Sequence, residues 1–84
     1  GLAKGFFMSG SKSILVSNWY VETFAAQKMI INYFKNIKSN KDKTLSENLN
    51  LTMIDFIKEE KDKSHPIFWA PFVLVGSDSK ILLQ

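Results

Sequence analysis

Imidazole is the side chain best suited to moving protons near neutral pH, and this chain has a single one, His65, set beside Pro66. A general base needs a nucleophile to activate. The chain contains no cysteine, which removes a thiolate nucleophile, a thiolate metal site and a disulfide framework together. Its serines sit in generic contexts, and none is marked as the partner of a base, so no Ser-His constellation can be assembled. His65 therefore reads as a structural residue of its loop. One histidine and scattered carboxylates without short ligand spacing give no metal site, and no cofactor motif occurs. The chain by itself is expected not to be an enzyme.

Charge narrows the partners. The net charge is +3 with a pI near 9.3, but the lysines at 35, 38, 41, 43, 58, 61 and 63 alternate with Asp42, Glu59, Glu60 and Asp62. That interleaving describes solvated helix ends. A nucleic-acid surface would show arginine and a stripe of one sign, and this sequence has no arginine. Apolar runs such as Ile14 to Val16 and Phe72 to Val75 fall far short of the roughly 20 residues that cross a bilayer. With no signal-peptide core and no cysteine, the expected compartment is the cytoplasm. No nucleic-acid or membrane partner is expected.

The elements that position these residues follow from periodicity. Leu2, Phe6 and Phe7 stand at helical spacing before Ser9 and Gly10, which predicts a helix over Gly1 to Met8. The run Ile14, Leu15, Val16 within Ser13 to Asn18 is short, rich in β-branched residues and bounded by Ser and Gly, as in a strand buried on both faces. From Thr23 to Lys38, Ala26, Met29, Ile30, Tyr33, Phe34 and Ile37 recur every three or four residues and form the stripe of an amphipathic helix. Thr44 with Glu47 three residues on is a capping-box pattern, opening a second helix to about Lys61 that buries Leu45, Leu49, Met53, Phe56 and Ile57. Pro66 and Pro71 prevent its continuation, and Phe72 to Val75 reads as a second strand ended by Gly76. Two helices between two strands reverse the chain twice, so the strands are expected to be antiparallel neighbours.

Several stretches together resemble a known family: Gly1 to Phe7, Gly10 to Trp19, the Tyr33-Phe34 pair, and above all His65-Pro66-Ile67-Phe68-Trp69-Ala70-Pro71-Phe72-Val73-Leu74-Val75-Gly76. They resemble the end of the CHAT domain, a caspase-like cysteine peptidase fold often attached to tetratricopeptide repeats. The resemblance covers residues 1–77 and leaves 78–84 as a tail. It implies an α/β fold, a partial caspase-like three-layer sandwich ordered helix, strand, helix, helix, strand. The family's catalytic histidine and cysteine precede the region matched here, so neither is carried over.

What the resemblance does imply is a wall. In caspase-like folds the loop leaving the strand that matches Ser13 to Asn18 lines the groove where an extended substrate pairs, and such loops at strand carboxyl ends are where open α/β sheets build sites. The residues implied are Ser17, Asn18, Trp19 and Glu22. The family commonly reads Trp-x-Val-x-Asp here. This chain has Trp19, Tyr20, Val21 and Glu22 followed by Thr23, so Glu22 is the displaced candidate for an acid that would suit a basic substrate side chain. Trp69, between a helix and a strand, reads as a packing anchor.

The expected function is that of a non-catalytic C-terminal segment of a CHAT-type peptidase, forming part of its peptide groove. The alternative is a stand-alone protein-interaction module or degenerate pseudo-peptidase. Expected partners are the upstream half of the same domain, a peptide or protein substrate, and a second copy met through an exposed strand edge.

Overall fold

The computed structural model describes residues 13–76, together with the strand pairing of Phe6–Phe7. The elements are β1 (Phe6–Phe7), β2 (Ile14–Ser17), α1 (Thr23–Ser39), α2 (Leu45–Glu59), two 3-10 turns (Lys61–Lys63 and Pro66–Phe68) and β3 (Phe72–Val75).

The expected antiparallel pair is present: β2 runs against β3 with Leu15 opposite Leu74 and Ser17 opposite Phe72. One face of this ladder, carrying Leu15, Ser17 and Phe72, is buried. The other carries Ile14, Val16 and Val73, which are half-buried, and Val75, which is 53% exposed. The strands are thus covered well on one face, where burial of both was expected. Phe6–Phe7 pair with Leu15 and Ile14 as a short antiparallel strand, in place of the helix expected over Gly1 to Met8. Aromatic residues suit a pleated surface, and a strand with one unpaired flank is a template for them. The remainder of that expected helix and the tail 78–84 lie outside the described residues.

The helices form as their end signals dictate. Thr44 Oγ1 accepts the Glu47 N–H at 3.1 Å and Glu47 Oε1 accepts the Thr44 N–H at 2.8 Å, so both halves of the capping box are made. α2 ends at Glu59, two residues before the expected end, because the chain tightens into the Lys61–Lys63 turn ahead of Pro66.

The core joins both layers: Leu15 and Phe72 from the sheet, Ala25, Met29, Tyr33 and Ile37 from α1, and Leu45, Leu49 and Phe56 from α2, with Val21 between. The buried stripe of α1 is centred on the row 25, 29, 33, 37, so Phe34, read from sequence as core, falls on the flank and is 41% exposed. Ala26, Ile30 and Met53 pack against the core from its edge. Two polar side chains enter the α2 face unannounced. Thr52 Oγ1 donates to Asn48 O at 2.7 Å and accepts from Asn36 Nδ2 at 2.9 Å, while Asn48 Nδ2 reaches Asn40 O at 3.2 Å. These bonds satisfy groups that burial would otherwise penalise by about 1–3 kcal/mol each, whereas the buried Asn48 Oδ1 has no hydrogen-bond partner among the described residues.

Candidate functional site

At the end of β2 the chain leaves the sheet and must turn into α1 within five residues, Asn18 to Glu22. Three contacts fix its path. The Asn18 N–H donates to Pro71 O at 2.9 Å, continuing the ladder one step past the end of β2 and before the start of β3. The buried Ser17 hydroxyl donates to Trp19 O at 2.6 Å, folding the loop back on itself. The Trp19 indole N–H donates to Ile67 O at 3.0 Å, across 48 residues of sequence.

The residues read from sequence as groove-lining therefore meet in one loop, with different roles in its geometry. Ser17 faces the core side of the sheet, and its hydroxyl is spent on the loop. Asn18, Trp19 and Tyr20 are exposed, Tyr20 by 69%. Val21 turns inward and anchors the loop in the core. Glu22 closes it as the N-cap of α1, with Oε2 accepting the Ala25 N–H at 3.0 Å and Oε1 held by Lys63 Nζ at 2.7 Å. The Lys63 hydrogen bond, and after it the Ala25 N–H, hold the Glu22 carboxyl below the usual carboxylate range.

The second side of the site is the segment between α2 and β3. Lys63 lies 5.0 Å from the Phe68 ring centroid and 5.9 Å from that of Phe24, so one ammonium ties the turn to the head of α1. The Trp69 indole N–H donates to Ser64 O at 2.8 Å, and the half-buried ring packs against the core as the sequence implied. His65 Nδ1 accepts the Ile67 N–H at 3.1 Å and caps the Pro66–Phe68 turn, which gives the lone histidine a structural role. Nothing in the sequence pairs residue 19 with 67 or 22 with 63. Only the two prolines, which confine the segment, hint that it returns to the sheet end.

Among the described residues no group of three or more His, Asp or Glu side chains is placed to hold a metal ion. No helix among them is long and apolar enough to cross a membrane.

Comparison with known proteins agrees with the resemblance in the sequence. The chain is 39% identical over 80 residues to tetratricopeptide repeat protein 28 of Homo sapiens, and 36% identical over 80 residues to that of Mus musculus. Each alignment covers 95% of this chain but only 3% of the relative, so the chain spans a small part of their length. No solved structure matches it. The family model of the CHAT domain matches residues 1–77, and the chain belongs to the CHAT domain family.

Proposed function

We propose that the chain is the C-terminal, non-catalytic segment of a CHAT-type caspase-like peptidase domain and forms one wall of its peptide groove. The observation that carries this is the loop from Asn18 to Glu22. It leaves the carboxyl end of β2 with Trp19 and Tyr20 exposed, and contacts to Pro71, Ile67 and Lys63 fix its course. A loop held on a rigid scaffold with aromatic side chains left in solvent suits recognition. Nucleophile and base would come from the upstream half of the same domain, whose elements would also cover Ile14, Val16, Val73 and Val75. Without that half, the flank of β3 is open to pairing with a second copy. A cysteine-free chain of this composition suits the cytoplasm.

Glu22 has both carboxylate oxygens engaged, so in this reading it shapes the wall more than it offers a free acid to a basic substrate side chain. The test is peptide affinity of the complete domain, measured by fluorescence anisotropy. Trp19→Ala is expected to weaken binding by about tenfold, the scale of a central aromatic anchor. Unchanged affinity would remove the wall from the groove.

A second reading, an interaction module or pseudo-peptidase, draws on α1 itself. Phe24 and Ile31, 47% and 54% exposed, lie on the helix side away from the core, and Phe34, 41% exposed, lies on the flank. A partner bound there, with no peptide bound at Trp19, would favour it.

A further inference from the structure

Glu22 divides its two carboxylate oxygens between two tasks. Oε2 caps α1 by accepting the Ala25 N–H at 3.0 Å, and the cap uses that oxygen alone. Oε1 is left for a cation, and the cation it meets is Lys63 Nζ at 2.7 Å. Two rings surround the same ammonium, Phe68 at 5.0 Å and Phe24 at 5.9 Å to their centroids. A carboxylate oxygen joined by two aromatic rings within about 6 Å is the chemistry that recognises an ammonium or guanidinium group. We infer that Glu22, Phe24 and Phe68 form a cation site, that Lys63 fills it from within the chain, and that Lys63 thereby keeps the basic side chains of a peptide out.

The occupant is tethered but not buried. The side chains of Lys63 and Glu22 are 32% and 40% exposed, and Phe24 is 47% exposed. Solvent therefore reaches the site, which stands at the end of the loop that carries the exposed Trp19 and Tyr20. An exposed ion pair is held weakly because water competes for both partners, and an exchangeable occupant requires that. Attachment to the chain still gives Lys63 an effective concentration of roughly millimolar, so a free cation below that level does not displace it. Removing the Lys63 ammonium turns the filled site into an open one, with Oε1 released and the Ala25 cap retained. The exclusion of basic peptides rests on the groove reading, whereas the cation site rests on the distances alone.

Two arms test the two halves in the complete domain. In the first, n-butylammonium, which is the lysine side chain without its backbone, is titrated into Lys63→Ala labelled with 15N-alanine. The signal followed is the Ala25 amide, the donor to Glu22 Oε2, assigned with Ala25→Gly. A saturable shift is expected in Lys63→Ala, and none in the parent, in Lys63→Ala with Glu22→Gln, or with sodium chloride at the same ionic strength. In the second arm a single lysine is moved position by position through a neutral peptide and compared with norleucine by fluorescence anisotropy. The parent is expected to prefer lysine by less than about twofold everywhere, and Lys63→Met by about tenfold at one position, a gain that Glu22→Gln removes. Lys63→Arg keeps the site filled and should behave as the parent. Lys28→Met removes an equal charge from the other ion pair, with Glu60 at 2.9 Å, and should also behave as the parent. Thermal melts establish that each variant folds, and Lys63→Gln replaces Lys63→Met if the latter does not. No saturation by n-butylammonium in Lys63→Ala, a tenfold lysine preference in the parent, or a gain shared by Lys28→Met would overturn the inference. Peptides that bind nowhere while n-butylammonium saturates Lys63→Ala would sink the groove reading and uphold the cation site.

Discussion

The helical hairpin and the sheet-end loops solve the same problem, that of holding chain reversals in place, by opposite means. In the hairpin the partners are nearer in sequence, and apart from the exposed capping box of Thr44 with Glu47 they are covered: Tyr33 Oη with Leu45 O at 2.8 Å is buried and Asn36 with Thr52 partly so. At the sheet end the partners are far apart and exposed: Trp19 with Ile67, Glu22 with Lys63. Exposed bonds add little to stability, since water competes for each partner. The hairpin is built to be stable. The loops are built to be placed, and what they place is aromatic surface.

Substitutions can break or sharpen that contrast. The largest effect is expected from Phe56→Ala, because the ring is fully buried where α2 meets the core shared with Leu15 and Phe72. A loss of about 3–5 kcal/mol is expected from the denaturant midpoint. A loss under about 1 kcal/mol would mean that the hairpin and the sheet do not share a core. Thr44→Ala should cost about 1 kcal/mol by removing one half of the capping box, and Thr44→Ser should restore most of it.

The smallest effect belongs to the exposed clamp, and it is a pH dependence. The Glu22 carboxyl sits below its ordinary value near 4.5, so the unfolded chain takes up its proton first as the solution is acidified. Its contribution is therefore present above the unfolded value and lost as pH falls through the folded one. Thermal melts of Glu22→Gln should lie slightly below the parent at pH 7 and converge with it in acid. A gap that widens in acid would reverse the sign of this linkage.

How much of this was legible follows the same divide. The capping box at Thr44, the start of α1 at Thr23 and the antiparallel strands could be read from sequence, because each rests on local spacing or on counting chain reversals. Phe34 was misplaced because a stripe read at intervals of three and four leaves its centre uncertain by one residue, about 100° of helix. Asn48 and Thr52 were missed as buried because their partners include backbone carbonyls, which leave no trace in side-chain spacing. The Trp19 loop was identified through family resemblance. Its actual clamps, Lys63, Ile67 and Pro71, were not, since contacts across more than 40 residues of sequence follow only from the fold.

Whether the placed aromatic surface receives a peptide is the central question, and site-specific crosslinking asks it most directly. In the complete domain a photoreactive benzophenone side chain would replace Tyr20 or, separately, Ile31, two exposed residues, one in the loop after β2 and the other in α1. With an extended peptide added, position 20 is expected to capture it and position 31 to remain free. Capture at position 31 alone, or equal capture at both, would contradict a groove wall at the end of β2.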